Sequence, residues 1–349
     1  MRVSANHDAA PGGSAPRYTD VVGVIVTSER DAVTVRRRDG SLVQIAGDDV
    51  VAVRLLADAG PPRRTDPEQL QRMAARGWPA PVTEPLGQWL LRAADGFTGR
   101  ANSVSVHGDP GMPLPAALRR VEGFYARHAL PARAQVVRHT TWDDAFTAAG
   151  WQPARGLGRG APHAGAVVLT STIRDALGKQ PRPEPVPVHG ELTSPWLQRY
   201  GRTAALMTAG ADLSTARAVL GAQQAREDGS IDAIGFARLD AAPGEPAAAV
   251  GRMVVTGAWA GRACVEVDPG ARRSGLGRRV VHTLMAWAVE RGARWCYLQT
   301  LPDNSAALSL YASYGFAEHS SYRYLSPPAQ DSAGVPRRSH RCRRLLAGP

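Results

Sequence analysis

Lysine is almost absent from this 349-residue chain, with Lys179 the only one. Cysteine is scarce too. Cys264, Cys296 and Cys342 are odd in number and none forms a C-x-x-C pair, which argues against a disulfide framework or a thiolate zinc site. Long apolar runs are missing: none approaches the roughly 20 residues that a spanning helix needs. The opening stretch, M-R-V-S-A-N-H-D, lacks the apolar core of a signal peptide. A cytoplasmic protein with no membrane partner is expected. Acidic residues are outnumbered, 31 against 42 basic, for a net charge of +11. Such an excess can mark a nucleic-acid surface. Here nearly all of it is arginine, beside 36 glycines and 27 prolines, which is the residue usage of GC-rich coding. The expectation is therefore an anionic cofactor and no nucleic-acid partner, and no metal is implied.

What is present is enough apolar sequence, 44%, for two or three domains. Residues 21–27, 32–36, 41–45 and 50–55 read as four short strands, with Asp39-Gly40 as a hairpin turn. That spacing predicts a small SH3-like barrel. Asp66-Pro67-Glu68 opens a helix that Gly77 stops. Strands are expected at 89–93, 103–106, 134–137 and 166–170, and helices at 114–128 and 142–149. After the proline-rich 181–187 stretch come helices at 195–207 and 213–222. Strands at 231–239, 248–255, 262–267, 295–299 and 319–324 follow, with helices after Gly275 and over 305–314.

Two stretches repeat. Asp109-Pro110-Gly111 precedes an Arg-Arg-Val helix at Arg119, and Asp268-Pro269-Gly270 precedes one at Arg278. Phe146-Thr-Ala-Ala-Gly150-Trp151 matches Tyr311-Ala-Ser-Tyr-Gly315-Phe316. The order of elements agrees as well, which favours an internal duplication.

The most informative segment is V-E-V-D-P-G-A-R-R-S-G-L-G, Val265 to Gly277. It reads as a strand end, a Pro-Gly turn, a basic glycine-spaced loop and the first turn of a helix. Such a backbone aims several N–H groups at one anion, and Arg272 and Arg273 add charge. Glycines at 275 and 277 let a phosphate approach closely.

The second half resembles the GCN5-related N-acetyltransferase (GNAT) superfamily. Two motifs carry this: Val267-x-Pro269-x-x-Arg272-x-x-Gly275-x-Gly277, and Asn304-x-x-Ala307-x-x-Leu310-Tyr311-x-x-x-Gly315-Phe316. The run from Gly77-Trp78-Pro79-Ala80 through Trp89 to Val104 also resembles actinobacterial members that join a small N-terminal barrel to tandem GNAT-like halves. The resemblance implies an α/β protein with a mixed sheet. Its expected parts are a flexible tail over 1–17, the barrel over 18–57, a degenerate GNAT-like unit over 66–173 and a linker over 174–190. A catalytic GNAT domain over 191–326 and a basic disordered tail over 327–349 complete it.

It also implies acetyl-CoA as acyl donor and transfer to an amine acceptor, small molecule or protein, by direct attack in a ternary complex. Arg272, Arg273, Ser274, Gly275, Leu276, Gly277 and Arg278 would hold the pyrophosphate. The Val265 and Val267 backbone would pair with the pantetheine arm, and Asn304 would help hold the cofactor. Tyr311 would protonate the leaving thiolate, whose ordinary pKa of about 8.5 lies below the phenol's of about 10. Glu266 is a candidate general base and equally a strand carboxylate paired with an arginine. Asp232, His282 and His319 are weaker candidates. In the first half, Gly111-Met112-Pro113-Leu114-Pro115 has no arginine and lacks two N–H donors, and Phe146 stands where Tyr311 does. That half is expected to bind no acyl-CoA and to wall the acceptor site, with Trp78, Glu84, Trp89, Arg92, Arg100 and Asn102 as contacts. The competing reading is an acyl-CoA sensor with little turnover that docks on nucleic acid.

Overall fold

The computed structural model describes residues 2–4, 18–21, 23–29, 31–37, 41–52, 65–154, 165–226 and 229–328. The Asp39-Gly40 turn, most of the leading segment and the arginine-rich tail beyond 328 lie outside them. The chain divides into two compact units, Met1–Asp58 and Ala59–Pro349. In the first, β1 (Arg2–Ser4), β2 (Tyr18–Asp20) and β6 (Val50–Ala52) form one antiparallel sheet. The flexible segment expected over 1–17 thus contains a strand, with Val3 opposite both Thr19 and Val50. The other sheet is β3 (Val24–Ser28), β4 (Ala32–Arg36) and β5 (Leu42–Ala46). Val21, Val35 and Ile45 form its small buried core.

The second unit opens with α1 (Pro67–Arg76), where Asp66 Oδ1 accepts the Gln69 N–H at 3.0 Å as an N-cap. Its first half then runs β7 (Val82–Leu86), β8 (Trp89–Ala93), β9 (Val104–Ser105), α2 (Leu114–Arg127), β10 (Ala134–Val137), α3 (Thr141–Ala148), β11 (Gln152–Pro153), β12 (Gly165–Thr172) and α4 (Ile173–Gly178). The second half is β13 (Val188–His189), α5 (Ser194–Arg199), α6 (Gly201–Thr208), α7 (Ser214–Gly221), β14 (Ala233–Leu239), β15 (Ala249–Thr256), β16 (Trp259–Val267), α8 (Leu276–Val289), β17 (Trp295–Thr300), α9 (Ser305–Ser313) and β18 (Ala317–Ser326). No helix among the described residues is long and apolar enough to cross a membrane.

One sheet runs through both halves in the order β13-β14-β15-β16-β17-β12-β18-β10-β9-β8-β7. Leaving the β12–β18 junction in either direction, the pairings are antiparallel, parallel, antiparallel, antiparallel. The repeat seen in the sequence is therefore a repeat of topology. The parallel pairs β9–β10 and β16–β17 each need a crossover, supplied by the 14-residue helices α2 and α8. The halves are interleaved: β12, from the first, lies between β17 and β18, and β18, from the second, lies against β10.

Helices α8 and α9 pack on one face of this sheet over Met253, Ala260, Cys296 and Leu298. The other face carries α1 over Tyr297, Tyr322 and Tyr324, and α5 and α7 over Phe236, Val250 and Val254. One strand, β7, was not expected; it contains Pro85, which a strand accepts because β7 is the sheet edge. Two local expectations fail for physical reasons. The helix expected over 195–207 breaks at Tyr200, whose ψ of 108° ends α5 and starts α6. The strand expected to start at 262 starts at Trp259, since Trp259 and Trp295 stack at 6.0 Å beneath α1.

His107, just after β9, is 4% exposed. Burial, helped by the nearby Arg72 and Arg92 charges, lowers its pKa from 6.5 to about 4. Its folded value is thus below the unfolded one. The unfolded chain takes up a proton between these values that the folded chain refuses, so stability falls as pH drops from 6.5 towards 4, by up to about 1.4 kcal/mol per pH unit. Thermal unfolding at pH 7 and pH 5 should show a larger loss for the wild type than for His107→Gln.

Candidate active site

The segment expected to carry the chemistry is built around a defect in the sheet. Val250 pairs with Glu266 and Arg252 with Ala263, so two residues of β16, Cys264 and Val265, face the single Gly251. This is a β-bulge, and Cys264, its first residue, takes the left-handed φ of 56°. Gly251 allows it to be covered tightly: a Cβ there would lie 2.5 Å from Val280 Cγ1 of α8. The parallel ladder between β16 and β17 ends at Arg262 opposite Leu298, although the strands run on to Val267 and Thr300. From Ala263 onward the β16 edge facing β17 is open, and Val265 and Val267 lie on it.

At the end of β16, Asp268 fixes the turn. Its Oδ1 accepts the Gly270 N–H at 2.8 Å, and its other oxygen pairs with Arg199 of α5. The backbone then alternates in hand, with φ of 64° at Arg273 and 87° at Gly275. Alternation of this kind forms a concavity lined by N–H groups. Gly275 is the N-cap of α8, so no side chain caps the first-turn N–H groups of Leu276, Gly277 and Arg278. The Ser274 hydroxyl donates to Ala271 O at 2.5 Å and braces the loop. Arg272, Arg273 and Arg278 are exposed and make no ion pair among the described residues. An anionic group with several oxygens fits this uncapped, positively charged helix start.

Asn304 caps α9, accepting the Ala307 N–H at 3.1 Å through Oδ1. Tyr311, two turns on, is buried with its ring 5.8 Å from that of Phe316, and its hydroxyl has no hydrogen-bond partner among the described residues. Its ring lies in the core on the α8 side of the sheet.

Glu266 points to the other face. Its Oε2 accepts the Gly201 N–H at 2.8 Å, at the α6 terminus created by the break at Tyr200. It is thus paired with a helix start rather than with an arginine. It lines a cleft of about 1100 Å³ with Tyr200, Arg202, Asp212, Gln299 and Tyr322 from the second half and Asp95, Phe97 and Arg100 from the first. Gln299 Oε1 accepts from Arg100 Nη1 and from the Tyr322 hydroxyl, both at 3.1 Å. Its amide NH₂ is left as a donor.

Of the first-half residues expected to meet an acceptor, only Arg100 lines this cleft. Trp78 is buried beneath it, 4.1 Å from the Arg100 guanidinium. Trp89 is in the first-half core, Arg92 is buried on Ser103 and Gln135, and Asn102 ties the loop 94–98. Glu84 pairs with Arg120 and Arg127 outside. The weaker base candidates also lie elsewhere. Asp232 is paired with Arg76 at 3.2 Å, and His319 Nε2 sits 2.9 Å from Thr65 O. His282 is buried on α8, its pKa lowered by burial and by Arg182. Gly201 and Gln299 carried no signal in the sequence, because their roles come from long-range packing.

Residues 66–325 match the family described as probable histone acetyltransferase Rv0428c C-terminal, and residues 8–54 match the Rv0428c N-terminal Sm-like domain. The chain belongs to this Rv0428c family and is a GNAT N-acetyltransferase. A Mycobacterium tuberculosis relative, called probable histone acetyltransferase Rv0428c, is 28% identical over 92% of this chain and 92% of its own length. A Bacillus subtilis relative, called uncharacterized N-acetyltransferase YobR, is 26% identical over 74% of this chain and 98% of its own. Among solved structures, a tandem GNAT protein from the clavulanic acid biosynthesis pathway matches 76% of this chain and 89% of its own at 14% identity, with a TM-score of 0.47. Membership implies acetyl-CoA as the acyl donor.

The space around Gly275 is open, so a side chain there meets only the penalty of its positive φ. Gly275→Ala should lower the unfolding free energy by about 1 kcal/mol, and Gly275→Asn by less. Urea denaturation measures both.

Proposed function

We propose that this protein acetylates an amine by direct attack on acetyl-CoA within a ternary complex. When bound, acetyl-CoA supplies an activated thioester. Arg272, Arg273 and Arg278 hold its pyrophosphate with the N–H groups of Ser274 to Gly277. The open edge at Val265 and Val267 pairs with the pantetheine amides, and Asn304 borders the arm. Backbone N–H at the bulge donates to the thioester oxygen as charge develops there. The acceptor enters the cleft on the opposite face. As its nitrogen bonds to the carbonyl carbon and the C–S pair leaves on sulfur, Tyr311 passes its hydroxyl proton to that sulfur. Glu266 takes the proton shed by the nitrogen, directly or through water. Exchange with solvent returns the proton to Tyr311.

The observation that carries this reading is the disposition of the two groups about the parted strands. Tyr311 packs on one face of the β16–β17 parting and Glu266 opens into a cleft on the other. An acid for the leaving group and a base for the nucleophile belong on such opposite sides.

Because the Mycobacterium tuberculosis relative carries a histone acetyltransferase name, the acceptor panel includes a lysine-bearing histone-tail peptide beside small primary amines. With the best acceptor, Tyr311→Phe should slow thiol release from acetyl-CoA by about a hundredfold or more while CoA binds within about twofold of wild type. Glu266→Gln, which keeps an acceptor for Gly201, should lower the rate most below neutral pH. Unchanged turnover in Tyr311→Phe would sink the assignment.

A further inference from the structure

Arg262 stands where β16 and β17 cease to pair, and the mechanism above gives it no task. It is 3% exposed. None of its three guanidinium nitrogens has a hydrogen-bond partner, and no carboxylate pairs with it among the described residues. Its neighbours across the sheet are Met253 and Leu298. Its guanidinium carbon lies 3.9 Å from the centroid of the Tyr311 ring and 5.2 Å from that of Phe316. An aliphatic side chain would fill this place without burying a charge, which is strongly unfavourable when no partner is supplied.

Three groups close to this cation could become negative by losing a proton: Cys296, Tyr314 and Tyr311. Burial pushes the Cys296 thiol up to about 11. Burial pushes Tyr314 up to about 12, and its hydroxyl is engaged in donating to Arg278 O at 3.1 Å. The Cys296 thiol is likewise engaged, donating to Tyr297 O. Tyr311, with its hydroxyl unengaged, is the remaining one. The first half supplies an internal control. Phe146 stands at the position of Tyr311, and the inward-facing residue of β9 is Val104, both buried in one apolar core. The half that lacks the hydroxyl also lacks the cation.

We infer that Arg262 is the electrostatic partner of Tyr311, its charge being compensated when Tyr311 hands its proton to the departing sulfur. The O–H pair remains on the phenol oxygen as a phenolate, the proton goes to sulfur, and no other reactant is needed. Arg262 is a positioning residue. It acts through the ring it stacks on, and the inference rests on the reading of Tyr311 as the acid.

The test uses the full chain carrying Arg262→Met, Arg262→Lys, Tyr311→Phe, or Arg262→Met with Tyr311→Phe. Three quantities are read: the thermal midpoint, CoA affinity, and thiol release from saturating acetyl-CoA with the best amine of the panel or, failing one, with water. Arg262→Met should keep or raise the midpoint, bind CoA within about twofold, and turn over about tenfold more slowly. Arg262→Lys should recover part of the rate. The double variant should be no slower than Tyr311→Phe, because the arginine has nothing left to act on. A lower midpoint with weaker CoA binding, rate losses that multiply, or an undiminished rate in Arg262→Met would each overturn the inference. If Tyr311→Phe slows the enzyme and Arg262→Met does not, only the role of Arg262 fails. If Tyr311→Phe itself is fully active, the underlying mechanism fails first.

Discussion

The interleaving of β12 and β18 is the constraint on which the rest of the 59–349 unit depends. Each is hydrogen-bonded on both sides, β12 between β17 and β18, β18 between β12 and β10. Neither half can therefore complete its sheet from its own strands without leaving an unpaired edge at the centre, and a buried unpaired edge is costly. This explains why a first half with no phosphate loop is retained as a full set of strands and helices. It contributes a strand to the middle of the other half. Through the Asp95–Arg100 loop it also contributes one wall of the cleft that Glu266 faces.

On that shared scaffold the two halves differ in a few side chains. At the head of α2 the chain has Pro113 and Pro115, which remove N–H donors from the first turn. At the head of α8 it has Gly275 in the left-handed conformation, and every first-turn N–H is available. Phe146 packs between Trp89 and Trp151, filling its half as a core residue. Tyr311 is placed by the same topology but keeps a polar tip and a cation beneath its ring. Repeated topology sets the positions, and residues at the helix head decide which copy leaves its first-turn N–H groups free.

Local features were legible in the sequence and non-local ones were not. Short-range signals placed β8 at Trp89–Ala93 and β10 at Ala134–Val137, and the Asp66 cap placed α1. The glycine spacing after Val267 located the helix head, because φ above zero at Gly275 is written into residue type. The exchange of β12 and β18 could not be read, since it pairs residues as far apart as Ala134 and Leu325, and alternation in a strand does not say which neighbour it will take. The same limit hid the partner of Glu266. Its carboxylate caps α6 only because Tyr200 turns inward and breaks a helix that the apolar pattern alone would have continued.

Three arginines are buried in this sheet, and their surroundings differ in a way that separates structure from chemistry. Arg92 donates to Ser103 O, Ser103 Oγ and Gln135 Oε1. Arg252 donates to Leu220 O and Gly77 O, the carbonyl ends of α7 and α1, where a cation meets the negative end of two helix dipoles. Burial lowers its pKa to about 10, which still leaves it charged at neutral pH. Both tie segments together through hydrogen bonds, although Arg252 Nη2 has no partner, and these ties account for them in the fold. Arg262 has no such bonds, and folding alone would favour a methionine or leucine in its place. A buried guanidinium whose folded-state neighbours are two aromatic rings gains most from a state that brings negative charge beside it. In the reaction proposed above, the state that puts negative charge on Tyr311 does so within reach of the guanidinium.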